Sequence, residues 1–370
     1  MATPRLKDYS AVQRLIRSRI DVVPFRLVST PHSLTRSEIA VCNALPAAVA
    51  RRRPLISQPN TEAFRVFSDT PDGMSGVFID IYGPGCVINV YEGRAPQDLG
   101  PGVAAGVLKI LAPLGVRAAY LKPFAKDRSR LGGRLPEIVS DPVPAAGDSL
   151  PEAFLIREHE WNLEIRLYDG LSTGLFLDQR NNRRFVADWV KDRARASAKP
   201  PTVLNTFAYT CAFSVAAATA GAITASVDVS GRYLDWGKRN FEHNKLDPAH
   251  HRFAKMDTFE FLGYAKRKGL QFDLIILDPP SFASGNKKKG IRPWSSVADY
   301  ARLVGEASAL LNPKGVIFAS TNTQELCRPN RLEREIVKGL GKPPRWLRLP
   351  DMPLDFARDS ERFDARAFAV

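Results

Sequence analysis

The sequence predicts an α/β protein: a doubly wound, mostly parallel sheet, preceded by a smaller α/β domain and a basic N-terminal arm. Three observations lead there. Beyond residue 200, short apolar runs alternate with helical segments, the rhythm of strand–helix–strand units in a parallel sheet. Between residues 63 and 122, shorter alternating stretches are separated by the turns Pro71-Asp72-Gly73 and Gly83-Pro84-Gly85. The first sixty residues hold ten Lys and Arg against three Asp and Glu, a local +7 out of a chain total of +14.

Composition sets the bounds. A chain of 370 residues suggests two or three domains. Its 44% hydrophobic and 25% charged content excludes wholesale disorder, collagen and coiled coil. No run approaches eighteen apolar residues, so no membrane span is expected. Cys42, Cys86, Cys211 and Cys327 are far apart and form no CxxC, and no His lies near them at ligand spacing. A disulfide scaffold and a metal site are both disfavoured, and a reducing compartment is the simpler assumption. The pair His250-His251 reads as a solvated loop. The positive excess favours a polyanionic partner.

Residues 1–60 have the basic, Ser/Thr-containing composition of an organelle transit segment. They also carry a helical stripe, Ile39, Val41, Leu45 and Val49, ahead of Arg51-Arg52-Arg53. The helical arm is the preferred reading. It places the protein in the cytoplasm, with an organelle matrix as the alternative. Residues 61–150 read as the small domain, a candidate substrate- or RNA-binding unit. Its strands fall at 63–67, 76–82, 86–91 and 118–121, with a helix over 103–114 and an exposed, Pro-, Gly- and Arg-rich stretch from 124. Residues 151–370 form the third part. They open on a β-hairpin over 153–168 that turns at Glu158-His159-Glu160, and a helix follows from Arg180 to about Val190. Strands are then expected at 202–207, 223–229, 252–255, 272–277 and 315–320.

Ligands of doubly wound sheets bind at the carboxyl ends of the strands. The first strand leads into Asn205-Thr206-Phe207-Ala208-Tyr209-Thr210-Cys211-Ala212, where small residues let a helix start close to a ligand. Neither GxGxxG nor GxxxxGK[ST] is present, which disfavours a dinucleotide pyrophosphate and a phosphate loop. Asp228 ends the second strand, 23 residues after Asn205. A carboxylate there can accept both hydroxyls of a ribose or cap the next helix. Asp257 follows the third strand and can accept from an adenine amino group or act as a cap. The fourth strand runs into Asp278-Pro279-Pro280-Ser281-Phe282. Its prolines end the strand and expose carbonyls beside a carboxylate, a suitable grip for an amino-bearing base. Lys287-Lys288-Lys289 with Arg292 and Trp294 could clamp phosphates and stack a base, or form a solvated charge run. Phe282 is a stacking candidate or a core residue. Arg183-Arg184 read as the solvent face of a helix.

Three stretches together resemble a family: residues 173–184 (TGLFLDQRNNRR), residues 203–210 with 226–230, and residues 272–282. The sequence resembles class I S-adenosylmethionine-dependent methyltransferases with a seven-stranded sheet. More narrowly it resembles the bacterial large-subunit ribosomal RNA methyltransferases of the Rlm I and Rlm K/L type. The resemblance implies S-adenosyl-L-methionine as cofactor and RNA as partner, and leaves a homodimer open. It implies a cofactor cleft across Phe176, Asp178, Gln179, Arg180, Asn205, Phe207, Tyr209, Asp228, Ser230, Asp257 and Asp278. The target base is presented at Asp278, Pro279, Pro280 and Asn322.

Three departures qualify the match. Cys211-Ala212 stands where the family has Gly-Gly, so Cys211 is expected to intrude on the cofactor loop. The family's N-terminal RNA-binding module is not recognisable in residues 1–60. Asn322 occupies the slot of the nucleophilic Cys used by cytosine-C5 members, and Cys327 lies beyond it. Cytosine C5 needs a thiolate adduct at C6 before it can react, so a nitrogen acceptor is favoured. The competing reading is a catalytically silent RNA-binding or assembly protein on the same scaffold, with Cys211 as its best support. A small-molecule methyltransferase is disfavoured by the +14 charge.

Overall fold

Thr35 opens the first described helix, Arg36–Arg51, with a capping box: its hydroxyl accepts from the Glu38 amide, and the Glu38 carboxylate accepts from the Thr35 amide. Val41, Leu45 and Ala48 on one face of this helix are wholly buried. They join Phe64, Val66, Ile79, Ile88 and Val107 in one apolar core. The helical stripe read from the sequence therefore packs within a folded unit and does not stand apart as an arm. The structure, a computed structural model, describes residues 34–125, 137–283, 293–357 and 362–370. They divide into two units, the first ending at Glu160 and including Ile165–Thr173, the second comprising Trp161–Glu164 and Gly174–Val370.

The first unit carries a five-stranded sheet in chain order: β1 (Ala63–Ser68), β2 (Val77–Tyr82), β3 (Gly85–Tyr91), β4 (Ala118–Phe124) and β5 (Ala146–Gly147). Only β3 and β4 pair in parallel, and the helix Val103–Leu111 makes the crossover between them. The expected hairpin is β6 (Phe154–Glu158) and β7 (Trp161–Ile165), and the division between units falls at its turn, ten residues beyond the boundary expected from composition.

The second unit is the doubly wound sheet, ordered β10-β9-β8-β11-β14-β16-β15. Its strands are β8 (Thr202–Thr206), β9 (Ile223–Asp228), β10 (Arg252–Lys255), β11 (Phe272–Leu277), β14 (Leu311–Thr321), β15 (Arg345–Leu347) and β16 (Asp364–Ala369). The first five are mutually parallel; β16 runs antiparallel between β14 and β15, so β15 at the edge again points the same way as the five. Register aligns the functional tips. Thr206 sits beside Val227 and Leu277, Leu277 beside Ala319, and Asp228 beside Lys255. β8, β9, β10 and β11 end within a residue of these positions, so the segments that follow them leave the sheet at its carboxyl end. Both faces are covered: Val203, Leu274, Ile276 and Phe318 pack on one side, Leu204, Ile275, Leu277 and Ile317 on the other. Strands buried on both faces read as continuous apolar runs, which is why they were visible in the sequence.

Candidate cofactor and base site

At the β8 tip, Phe207, Tyr209 and Cys211 all take left-handed φ, at 54°, 49° and 63°. Three non-glycine residues in that region store strain of order 1–2 kcal/mol each. The strained turn is held by its neighbours. The Asp228 carboxylate accepts the Tyr209 amide on one oxygen and the Ser230 amide on the other, at 2.9 and 2.8 Å. The Gly174 amide donates to the Tyr209 hydroxyl at 2.9 Å, and the Thr210 hydroxyl donates to the Gly174 carbonyl at 2.6 Å. Gly174 must be glycine: its φ is +102°, and a Cβ would lie 2.4 Å from the Trp236 ring. The first and second sequence motifs are thus pinned to each other.

Between them lies an open cleft at the carboxyl end of β8. Phe176, Gln179, Arg183, Asn205, Phe207, Tyr209 and Asp278 line it, as do Ala212 and Phe213, which begin the helix Ala212–Thr219. Phe176 is 51% exposed and its ring lies 5.2 Å from that of Tyr209. Asn205 is buried and donates to Ser214 Oγ at 2.9 Å. Burial pushes the Asp228 carboxyl up, against the two amides that favour its charge. Burial also raises Asp278, opposed by hydrogen bonds from Ser320 and Gln179 and by the Arg183 charge.

Cys211 does not intrude. Its side chain is wholly buried and absent from the cleft wall, and it fills the space over Gly237, where a Cβ would meet its sulfur at 2.4 Å. Burial pushes its thiol up to about 12. Ala212, the second departure from Gly-Gly, does line the cleft and is small enough to do so.

At the β11 tip, the Ser281 hydroxyl donates to Asn322 Oδ1 at 2.7 Å, joining the Asp-Pro-Pro turn to the end of β14. Asn322 and Pro280 are exposed, and Pro279 is buried. The Pro280 carbonyl is not free for a base: it accepts Trp294 Nε1 at 2.7 Å and Ser296 Oγ at 2.9 Å. Trp294 is itself buried, packed near Phe207 and Phe259, and so braces the turn and does not present a stacking face. Phe282 is 65% exposed and remains available to stack. It begins β12 (Phe282–Ala283), which pairs with β13 (Trp294–Ser295). These strands bracket the basic stretch, whose Lys287, Lys288, Lys289 and Arg292 lie outside the described residues.

Four other expected residues stand elsewhere or are engaged differently. Arg180 is buried in a two-pronged ion pair with Asp355, at 2.9 and 3.1 Å, and does not line the cleft. Asp257 caps the helix Thr258–Arg267 through the Phe259 and Glu260 amides. Ser230 caps Gly231–His243 through its hydroxyl and reaches the cleft loop only through its amide on Asp228. Asp178 is partly exposed in the short turn Leu177–Gln179 and is not in the wall. Arg183, by contrast, is no solvent-facing residue: it is buried in the wall and donates to the Phe176 carbonyl at 2.9 Å. One helical turn separates it from Gln179, a spacing that could have revealed it. Among the described residues, no group of three or more His, Cys, Asp or Glu is placed to hold a metal ion, and no helix is long and apolar enough to cross a membrane.

Comparison with known proteins agrees with this geometry. The chain is 34% identical over 234 residues to ribosomal RNA large subunit methyltransferase K of Neisseria meningitidis, covering 63% of each chain. It is 33% identical over 290 residues to ribosomal RNA large subunit methyltransferase K/L of Psychrobacter arcticus, covering 76% of this chain and 35% of that one. The chain spans 35% to 65% of the length of the first such relatives. Among solved structures, the protein SMU.776, crystallised in complex with SAH, is 30% identical with a TM-score of 0.72, covering 92% of this chain and 84% of that one. Residues 145–340, more than half of the chain, match the S-adenosylmethionine-dependent methyltransferase family, and the chain belongs to that family.

Proposed function

We propose that the protein transfers a methyl group from S-adenosyl-L-methionine to a base of RNA, with large-subunit ribosomal RNA as the substrate. The single observation that supports this most is the junction of the cofactor cleft and the Asp-Pro-Pro turn at Asp278, which lines the first and begins the second. The relatives named as large-subunit ribosomal RNA methyltransferases supply the substrate class. The +14 charge suits a polyanion.

The cleft fits this cofactor by the chemistry of its donors. Asp228 is not itself in the cleft wall: it ends β9 beside the Tyr209 turn, and each of its oxygens is used once by a backbone amide, which leaves lone pairs for ribose hydroxyls. Phe176 and Tyr209 offer aromatic surface, and Ala212 admits close approach. The bound cofactor supplies an electrophilic methyl group on a sulfonium. The protein's part is placement, which alone can account for several kcal/mol of a displacement barrier. Asn322, locked by Ser281, orients the base through its amide, and Asp278 accepts from a proton-bearing nitrogen at the target. A silent scaffold loses its best support once Cys211 points away from the cleft.

The test is calorimetry with S-adenosylmethionine, followed by transfer of a tritiated methyl group to protein-free large-subunit ribosomal RNA. Binding with transfer is expected. Binding without transfer to any ribosomal RNA would favour the scaffold, and no binding would remove the proposal.

A further inference from the structure

Behind Asp278 stands a row of buried side chains whose donors all point toward its carboxylate. Asn182 Nδ2 donates to Gln179 Oε1 at 2.8 Å, which turns the Gln179 amide nitrogen inward. Gln179 Nε2 donates to Ser320 Oγ at 3.1 Å. Ser320 Oγ has one proton and gives it to Asp278 Oδ1 at 2.7 Å. The Tyr300 hydroxyl fixes the Ser320 backbone by donating to its carbonyl at 2.9 Å. Asn182, Gln179 and Ser320 are 5%, 2% and 0% exposed. Buried polar networks that are satisfied throughout specify one arrangement, because every alternative leaves a donor unpaired.

We propose that Ser320, oriented by Gln179 and Asn182, is the positioning residue that holds the Asp278 carboxylate as an acceptor aimed at the target base. This rests on the methyltransferase reading above and extends it to the residues behind the Asp278 carboxylate. Among the described residues Asp278 is the one carboxylate in the cleft wall, and an acceptor in that place is useful only if its charge and direction are fixed before the base arrives. Burial works against its charge, and the Ser320 hydroxyl and the Gln179 amide favour it. The charged and titratable groups facing it are Arg183, whose charge also favours ionisation, and the buried Tyr300, whose own ionisation Asp278 disfavours.

The experiment follows the Asp278 carboxyl carbon by NMR titration in cofactor-free protein labelled at aspartate, the resonance being identified by its loss in Asp278→Asn. Ser320→Ala should move the titration midpoint upward, since a bond to the charged form is removed, and Ser320→Thr should restore it. If Ser320→Ala does not fold, Gln179→Leu interrupts the same row one step back and should shift the midpoint in the same direction. In methyl transfer, the acid limb of the pH–rate profile should rise to higher pH in Ser320→Ala, with KM for RNA little changed. An unmoved midpoint, or a loss of rate equal at every pH, would overturn the positioning role. A wild-type protein that transfers no methyl group would instead remove the reading beneath it, and the titration would still decide whether Ser320 sets the state of Asp278.

Discussion

The Asp228 carboxylate accepts one backbone amide on each oxygen, and each oxygen keeps a second lone-pair direction for a ribose hydroxyl. A hydrogen bond to a charged group contributes roughly 1.5–3 kcal/mol, so Asp228→Ala should weaken S-adenosylmethionine binding at least about tenfold. Calorimetry on the folded variant checks this, and an unchanged Kd would remove the assignment. Burial raises the carboxyl before ligand arrives, and ribose hydroxyls favour its ionised form. Binding therefore stabilises the charged state, and affinity should fall as pH falls through the raised value of the free protein. An affinity flat down through the acid range would contradict that sign. The cysteines offer a second test at this scale. Burial holds the thiols of Cys211 and Cys327 up to about 12, far from the thiolate form a nucleophile needs. No covalent adduct should form with RNA containing 5-fluorocytosine. A gel-stable complex that vanishes in Cys211→Ala or Cys327→Ala would restore cytosine C5 as the target.

The strained turn from Phe207 to Cys211 and the helix Gly231–His243 are matched to each other through one sulfur atom. Gly237→Ala places a methyl group 2.4 Å from Cys211 Sγ and should destabilise the protein by about 1–3 kcal/mol, loosening the cofactor loop with it. Combining it with Cys211→Gly should recover most of the loss, because glycine accepts the left-handed φ of 63° and vacates the space. Thermal melts of the two single variants and the pair measure the coupling; strictly additive effects would contradict it. This pairing also marks where the sequence stops being legible. The central strands β8, β11 and β14 could be read because both faces of each are buried, and Asp228 and Asp278 because they stand at strand ends, whereas β15, largely exposed, and β16, half-buried over its first three residues, leave no apolar run and were not read. The direction of the Cys211 side chain could not be read, since it depends on a glycine 26 positions away. Trp294 beside Arg292 looks like a stacking residue until the Pro280 carbonyl is seen to receive its N–H. Arg180 sits in a cofactor motif, yet it is neutralised by Asp355, 175 residues on. Chain-distant partners of this kind leave no periodic trace.

Across the whole molecule, the charge of +14 and the family membership point the same way. RNA affinity should fall steeply with salt, and replacing Lys287, Lys288 and Lys289 by Ala should flatten that slope by up to about three phosphate contacts while leaving cofactor affinity alone. A slope unchanged by the triple substitution would return that stretch to a solvated charge run. The first unit has its own core and sheet, and the second carries the cleft. The transfer proposed for this cleft is to a base of large-subunit ribosomal RNA. Its most direct measurement is the mass-spectrometric nucleoside profile of that RNA from cells lacking the protein, complemented with wild type or with Asp278→Asn. One methylated nucleoside should be missing without the protein, return with wild type and stay missing with Asp278→Asn. A profile identical in all three strains would rule out that transfer.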